Sequence, residues 1–250
     1  MAHKTLIDGT AYAVKGGRDL IAGTGYAKKQ GKTLIDGTEH AISFGIPLNT
    51  ITPGAILYLN ESGSPVPFYI AKHDYESGLN VAGRTLVVRK DCYDMRVFSS
   101  NNNAFSGSSM DTWLNNTWLK LLDADIQAAI GTTKFYYTPG NRNTTVTTLQ
   151  RAVFLLSLTE LGKSTSDANT EGSALPIAST LQIAYSNGSA VRQWTRTPYP
   201  LSDASVYFLD TRGNGRNDLY ISSYGSRPAF TLPGSLGLAQ NSDGTYTIAA

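Results

Sequence analysis

The chain has few of the residues from which catalytic, metal-binding or disulfide-linked sites are usually built. Its 250 residues include one cysteine and three histidines, and only 16% of them are charged, whereas about a quarter is usual for a globular domain. The single cysteine, Cys92, excludes an intramolecular disulfide and any metal site with several cysteine ligands. We interpret it as a small buried hydrophobe.

Strong charge and long apolar runs are also lacking. The net charge is +2 and the basic residues are scattered, so the sequence predicts no phosphate-binding stripe and no nucleic-acid partner. No apolar run reaches the ~18 residues that a membrane-spanning helix needs. The first residues lack the apolar core of a secretory signal, so we expect synthesis in the cytoplasm.

Groups for catalysis are sparse. Of the histidines, His3 and His40 lie in the N-terminal segment, and His73 is interpreted as structural rather than as the base of a catalytic triad. No spacing singles out a pair among the carboxylates that glycoside hydrolysis would require, which are Asp203, Asp210, Asp218, Glu160 and Glu171. No phosphate-binding glycine motif occurs either. We therefore predict a protein without enzymatic activity, with a cell-wall hydrolase as an alternative.

What the chain has instead is a short repeat. Residues 4–45 repeat one 14-residue pattern three times, as KTLIDGTAYAVKGG, RDLIAGTGYAKKQG and KTLIDGTEHAISFG. Asp8-Gly9 and Asp36-Gly37 are favoured hairpin turn pairs because glycine tolerates a positive φ. Three such units bury too little apolar surface to be stable alone. We therefore expect residues 1–45 to form a homotrimer or to dock on a larger particle; a loose glycine-rich arm is the alternative.

Residues 46–250 are sufficient for one large domain. β-branched and aromatic content predicts strands at 54–63, 67–72, 84–90, 227–233 and 244–248, and a buried strand that runs into a turn at 150–162. Helical spacing predicts helices at 109–122, capped by Ser108, Ser109 or Asp111, and at 125–131. Trp113 and Trp118 are expected to face the core. Residues 162–190 and 210–226 are predicted to be long loops, which often carry function.

Four stretches, taken in this order, resemble the DUF6273 family of gut bacterial and phage genomes. They are WLNNTWL (113–119), VFLLSLTELG (153–162), QWTRTP (193–198) and GSRPAFTLP (225–233). The similarity covers about residues 54–235, and Thr197 stands where the family usually has serine. The N-terminal LIDGT repeats are similar to those at the start of phage tail and fibre proteins.

The resemblance implies a fold related to C-type-lectin-like and formylglycine-generating-enzyme-like domains. We therefore expect an α+β domain with a mixed antiparallel sheet, two helices and long late loops, placed after the N-terminal β-repeat segment. The copper-bound cysteine pair of the formylglycine-generating enzymes cannot be present with Cys92 alone, so that activity is not implied. The resemblance also points to phage virion proteins.

The expected binding surface is the segment before the last Arg-Pro-Ala strand, because lectin-like phage proteins display their ligand site there. Its residues mix planar hydrogen-bonding groups with aromatic rings, a combination that suits sugars and that binding loops also favour. The candidate ligand-binding residues are Arg212, Asn214, Arg216, Asn217, Asp218, Tyr220 and Tyr224, flanked by Tyr199 and Tyr207. We expect Trp194 and Arg196 to support the domain and Arg227 to anchor the last strand.

Calcium is an open alternative at the same segment. Asp210, Asn214, Asn217 and Asp218 offer oxygen ligands within nine residues, but their spacing does not match an EF-hand. Lectin-like folds often bind ligands without metal, so we predict no cofactor.

The combined expectation is a phage virion protein of the tail fibre or tail tip. Residues 1–45 attach it to other virion proteins or trimerise it, and residues 46–250 bind a host-surface glycan or protein. The alternative is a structural virion subunit, such as a capsid decoration protein, head fibre or baseplate protein.

Overall fold

The structure, a computed structural model, describes residues 4–7, 10–13, 30–35, 38–43 and 45–249. The strands are β1 Lys4–Ile7, β2 Thr10–Ala13, β3 Gln30–Ile35, β4 Thr38–Ser43, β5 Ile46–Pro47, β6 Ile56–Glu61, β7 Ser64–Lys72, β8 Arg84–Arg89, β9 Met95–Val97, β10 Thr133–Tyr137, β11 Thr147–Arg151, β12 Val153–Phe154, β13 Ala184–Ser186, β14 Ser189–Val191, β15 Gln193–Pro198, β16 Ser205–Leu209, β17 Gly215–Leu219, β18 Ser223–Gly225, β19 Ala229–Pro233, β20 Gly237–Gln240 and β21 Tyr246–Ile248. The helices are α1 Ser109–Asn116, α2 Ala124–Ala129 and α3 Ala178–Leu181, with 3-10 turns at Leu48–Thr50 and Trp118–Leu121. Among the described residues, none of the helices has the length and hydropathy to cross a membrane.

Two sheets organise the described part of residues 46–250. The larger has eight strands in the order β12-β19-β8-β7-β6-β21-β20-β5, and the smaller has five in the order β17-β16-β15-β18-β9. β8 lies inside the larger sheet, and its residues Thr85–Val88 are all buried, as expected of a strand covered on both faces. Aromatic rings fill the core. The ring centroid of Phe230 lies 5.6 Å from that of Phe68 and 6.0 Å from that of Trp118.

The expected α+β, C-type-lectin-like fold is wrong. The described elements are mostly strands in several sheets, and the three helices have eight, six and four residues, too few to form a layer against a sheet. The error has a physical cause in the polar segments between 162 and 226. Their Ser, Thr, Asn and Gly content suggests loops, but β13, β14 and β17 are strands with one or more solvent-facing sides, where polar residues are tolerated.

The predicted first helix is also too long. α1 ends at Asn116, and a 3-10 turn follows at Trp118–Leu121. The Ser108 hydroxyl caps the helix by accepting a hydrogen bond from the Asp111 amide at 3.0 Å, as one of the three candidate caps predicted. Trp118 is fully buried, which confirms its expected position. Trp113 is only half-buried, and the Arg96 guanidinium lies 3.8 Å from its ring centroid.

Strand predictions based on β-branched and aromatic content are confirmed at β6, β7, β8, β19 and β21. The predicted strand at 150–162 is wrong in its length. Residues 150 and 151 are the end of β11, β12 covers only Val153–Phe154, and residues 155–158 continue as buried chain outside a strand.

Hairpins flank the Asp-Gly pairs of two repeats. β1 pairs with β2, with Ile7 opposite Thr10, and β3 pairs with β4, with Ile35 opposite Thr38. The first and third repeats therefore each contain an antiparallel pair of strands. The second repeat, apart from its last two residues at the start of β3, lies outside the described residues. The attachment or trimerisation role of residues 1–45 stays a prediction.

Candidate functional site

The predicted binding segment is an ordered hairpin rather than an irregular loop. β16 and β17 pair over five residues, from Ser205 opposite Leu219 to Leu209 opposite Gly215. The Asp210 carboxylate closes the turn between them, because its Oδ1 accepts hydrogen bonds from the amides of Arg212 and Asn214, both at 2.9 Å. The hydrogen bonds from the Asn214 and Arg212 amides hold the pKa of Asp210 below its usual range.

The strand register divides the predicted site residues between two faces of the sheet. Arg216 lies opposite Phe208, whereas Asn217 lies opposite Tyr207. Successive side chains of a strand point to opposite faces, and paired residues share a face. Arg216 and Asp218 therefore lie on one face, and Asn217 lies on the other. The nine predicted residues do not form a single surface.

On the first face, Tyr224 is part of the core. It is 6% exposed, and its ring centroid lies 4.7 Å from that of Trp194 and 4.6 Å from that of Phe208. Its hydroxyl donates to the Asp218 carboxylate and accepts from Arg192 Nη1 at 2.8 Å. Burial and the Asp218 contact raise the pKa of Tyr224, while the hydrogen bond from Tyr224 lowers the pKa of Asp218. Tyr224 therefore holds the hairpin in place and is not available to a ligand.

On the second face, Tyr207 is also buried. It is 2% exposed, its ring meets Tyr199 edge-on with centroids 5.5 Å apart, and its hydroxyl lies 2.8 Å from Thr165 Oγ1. Burial raises the pKa of Tyr207. Tyr199 and Tyr220 are half-buried and pack against the core. Neither of the two buried rings, Tyr207 and Tyr224, therefore presents an open face to a sugar.

The exposed part of the hairpin is polar with an apolar end. Six of the exposed residues of β17 and its flanking turns are grouped together. We call them the β17 surface: Arg212, Asn214, Arg216, Asn217, Leu219 and Ile221. β17 is the last strand of its sheet, so its outer edge is open to a further strand or loop from a partner. The sequence reasoning missed the two apolar members, 46% and 58% exposed, although apolar residues in so polar a segment are a signal.

The oxygen donors considered for calcium do not converge. Asp210 Oδ1 is engaged by the amides of its own turn, and the Asp218 carboxylate accepts from Tyr224. Asn217 lies on the opposite face from Asp218. In the part of the chain that the structure describes, no three His, Cys, Asp or Glu side chains are grouped so that they could hold a metal ion.

Two of the carboxylates considered for hydrolysis lie deep in the interior. Glu160 accepts hydrogen bonds from Arg196 Nη1 at 2.6 Å and from the Tyr75 hydroxyl at 2.5 Å. Glu171 accepts from the Thr138 amide and the Thr197 hydroxyl, both at 2.6 Å. All six residues are fully buried. We call Tyr75, Glu160, Glu171 and Arg196 the buried ionic network.

The electrostatics of this network follow from burial and pairing. Desolvation raises the pKa of Glu171 and raises that of Tyr75 well above its ordinary value, with Glu160 adding to the rise at Tyr75. Desolvation lowers the pKa of Arg196, but Glu160, Tyr75 and Glu171 together more than offset this, so the net change in that pKa is upward. The Arg196 guanidinium thus pairs with the Glu160 carboxylate, and this contact connects elements distant in sequence.

The residues expected to support the domain do so. Arg227 donates to three backbone carbonyls, those of Arg89 at 2.9 Å, Leu181 at 2.8 Å and Lys90 at 2.6 Å, which confirms carbonyl anchoring. Trp194 is buried and donates its indole N–H to the Arg96 carbonyl at 2.9 Å.

His73 and Cys92 are structural, as predicted. His73 Nε2 lies 2.7 Å from the Ile51 carbonyl and Nδ1 lies 3.0 Å from Thr85 Oγ1. Cys92 is 4% exposed, and burial raises the pKa of its thiol to about 11.

The WLNNTWL stretch contains an asparagine whose role the sequence did not reveal. Asn115 Nδ2 donates to the Val153 carbonyl at 2.9 Å, and its Oδ1 accepts from the Val153 amide at 3.0 Å. The side chain thus pairs with β12 as a neighbouring strand would. This contact joins the first two of the motifs on which the family resemblance depends.

The motif-bearing part of the chain also matches a family model. No curated protein and no solved structure matches the chain. Residues 82–234, more than half of the sequence, match the model described as Domain of unknown function (DUF6273). The match includes α1, the buried ionic network except Tyr75, the β17 surface and Arg227, and on this ground the chain belongs to the DUF6273 family.

Proposed function

We propose that this protein is a phage virion component that binds a protein on the host surface through the β17 surface. The observation that carries the proposal is the exposed, edge-strand hairpin, held rigid by Asp210 within its turn and by the Tyr224–Asp218 contact beneath it. A binding surface on a fixed element loses little conformational entropy when a partner is bound. The virion assignment is supported by the similarity of residues 4–45 to phage tail and fibre repeats.

The composition of the β17 surface favours a protein receptor over a glycan. Its two guanidinium groups and two amides offer directional hydrogen bonds, and arginine is enriched in protein interfaces. The open sheet edge can accept main-chain hydrogen bonds from an added strand. Tyr207 and Tyr224, which would have stacked on sugar rings, are buried.

Binding of the purified full chain to host cells, measured by flow cytometry, tests the proposal. The double variant Arg216→Ala with Asn217→Ala removes one cation and one amide from the β17 surface. The matched control, Lys120→Ala with Asn116→Ala, likewise removes one cation and one amide, from exposed positions at the end of α1 and in the turn that follows it. We expect at least a tenfold loss of binding for the first variant and none for the control.

Treatment of the cells distinguishes the receptor classes. Protease treatment should abolish binding, whereas periodate, which destroys vicinal diols of sugars, should leave it unchanged. Equal binding by the two double variants contradicts a role for the β17 surface, and periodate sensitivity combined with protease resistance contradicts a protein receptor.

Residues 1–45 are proposed to trimerise the protein or attach it to the particle. Deletion of these residues should give a folded monomer in analytical ultracentrifugation, while the full chain sediments as a trimer. A deletion product that keeps the oligomeric state of the full chain would show that residues 46–250 assemble by themselves.

A structural virion subunit is a second candidate, favoured by a specific feature of the same hairpin. Leu219, at the end of β17, and Ile221, two residues further along the chain, are 46% and 58% exposed. Exposed apolar side chains near one another are typical of surfaces that a neighbouring protein covers. Immunoelectron microscopy of virions with an antibody against residues 46–250 separates the candidates, because label at the tail tip or fibres supports receptor binding and label over the capsid supports decoration.

A further inference from the structure

A cavity of about 550 Å³ lies outside the β17 surface and shares no residue with it. The polar residues that line it are Glu76, Tyr136, Thr147, Thr148, Thr170 and Ser173. Its volume falls within the ~300–1,000 Å³ range of small-molecule sites. The cavity is formed where the β10–β11 hairpin faces the segment that follows Glu171.

Both walls of the cavity are fixed to the buried ionic network. On the β10 side, the Tyr136 carbonyl accepts a hydrogen bond from Arg196 Nε at 3.1 Å, and the Thr138 amide donates to Glu171 at 2.6 Å. On the other side, the wall segment begins at Glu171 itself. Because the same interior charges hold both walls, the cavity is formed before any ligand arrives, which lowers the entropic cost of binding.

Gly172 brings the second wall close to these charges. Its φ is +87°, and a Cβ at this position would lie 3.5 Å from Glu76 Oε1 and 3.7 Å from Glu160 Oε1. A side chain here would be strained and would project toward the two carboxylates. The glycine therefore keeps the Glu76 side of the cavity open.

The polar groups of the cavity are balanced in charge. The only ionised side chain among its named lining residues is Glu76, and Lys72 Nζ lies 3.5 Å from its Oε1. The same ammonium donates to Ser173 Oγ at 3.4 Å. A ligand with a full charge of either sign would meet its own sign in one member of this pair, so the cavity favours a neutral ligand.

From this arrangement we infer that the cavity binds a neutral saccharide. Thr148 lies opposite Tyr136 and therefore shares its face of the hairpin. Hydroxyls both donate and accept hydrogen bonds, so Thr148 and Thr170 match the hydroxyl groups of a sugar. The Glu76 carboxylate accepts from vicinal hydroxyls, and the half-buried Tyr136 ring offers an apolar surface to the C–H side of a pyranose. This inference goes beyond the proposed function and does not depend on it, since it concerns different residues and a different ligand class.

Saturation-transfer NMR on the full chain tests the inference. The probes are three neutral trisaccharides, maltotriose, cellotriose and N,N′,N″-triacetylchitotriose, each at millimolar concentration. We expect transfer to at least one of them. Thr148→Arg, which fills the cavity, and Tyr136→Ala, which removes the ring, should each reduce the transfer at least fivefold.

Matched controls separate the cavity from general effects of substitution. Thr112→Arg places the same side chain at an exposed position of α1, and Tyr185→Ala removes an exposed tyrosine of β13. Both should keep the transfer of the unsubstituted protein. Absence of transfer to all three probes, or transfer unchanged in Thr148→Arg and Tyr136→Ala, overturns the inference.

Two charged probes test the neutrality. Glucosamine and glucuronic acid should give weaker transfer than N-acetylglucosamine and glucose, their neutral counterparts. Stronger transfer to either charged sugar overturns the assignment of a neutral ligand. The host-binding assay on the β17 surface uses different residues and a different ligand. A negative result in either assay therefore does not affect the test of the other proposal.

Discussion

Replacing Arg196 by methionine should remove a large part of the stability of residues 46–250. The substitution keeps most of the side-chain volume but leaves Glu160 buried without its cation. Removing one partner of a buried pair costs about 3–5 kcal/mol. Arg196 also donates to the Leu155 carbonyl at 2.9 Å and to the Tyr136 carbonyl at 3.1 Å, and each lost bond adds about 1 kcal/mol.

The sum, about 5–7 kcal/mol, is comparable with the whole stability of a marginal domain, which is about 5–15 kcal/mol. With a urea m-value of about 3 kcal/mol/M, the unfolding midpoint should fall by roughly 2 M. The assay is equilibrium urea unfolding of the full chain, followed by tryptophan fluorescence. Trp118 and Trp194 are both buried in the region that should unfold.

Arg216→Met is the matched control, because it removes a guanidinium that is 65% exposed and 3.7 Å from Asp210. An exposed pair is worth about 0–1 kcal/mol, so its midpoint should barely move. Arg196→Met combined with Glu160→Gln should be less destabilised than the sum of the single variants, since no unpaired charge remains. If Arg196→Met does not fold, Arg196→Lys replaces it in the assay. Lysine keeps the positive charge beside Glu160, so the loss of stability should be smaller than the loss of about 5–7 kcal/mol expected for Arg196→Met. A midpoint for Arg196→Met within 0.3 M of that for Arg216→Met, about 1 kcal/mol at this m-value, would refute the reasoning.

Three further predictions concern single contacts. Asn115→Ala should cost about 2–4 kcal/mol, because it leaves a buried amide and a buried carbonyl of β12 unpaired, while Asn116→Ala at the exposed next position should cost under about 0.5 kcal/mol by urea unfolding. The Cys92 thiol, with its pKa raised to about 11, should resist iodoacetamide at pH 8 and be modified only in urea, and labelling of the native protein at the unfolded rate would contradict its burial. The Asp218 pKa is lowered by Tyr224, so the stability that this carboxylate contributes is present above its unfolded pKa of about 3.9 and is lost as the pH falls through the folded value. The midpoint difference between the unsubstituted protein and Asp218→Asn should therefore be largest near pH 7 and shrink below about pH 4, and a pH-independent difference would contradict the linkage.

Several local features could be predicted from the residues alone. The Asp-Gly pairs of the repeats indicate hairpins because glycine tolerates the turn conformation, and strands β6, β7 and β8 follow from their β-branched and aromatic residues. The helix cap at Ser108 and the burial of Cys92 follow in the same way. Each of these depends on the preferences of neighbouring residues, which the sequence displays directly.

The fold class could not be predicted, because the strands between residues 162 and 226 have the polar composition that is typical of loops. A strand such as β17 needs no apolar alternation when it lies at the edge of a sheet with solvent on more than one side. Its attachment to the core comes from contacts between distant parts of the chain, among them those of Tyr224 with Trp194 and Phe208. A resemblance in motifs therefore identified the family correctly but the architecture wrongly.

The sequence by itself determined the family, the repeats and the residues from which a site could be built. Only the tertiary structure decided which of these side chains are exposed at the surface and which are buried. Tyr207 and Tyr224 have the composition of a binding surface, but the β16–β17 register and the packing of Trp194 place both rings inside. Arg196 and Glu160, 36 residues apart in sequence, meet only because the chain folds. Burial removes water from both groups, so the attraction between them is stronger than it would be in solvent. Side-chain chemistry is a property of the residue, whereas exposure and partnership are properties of the fold.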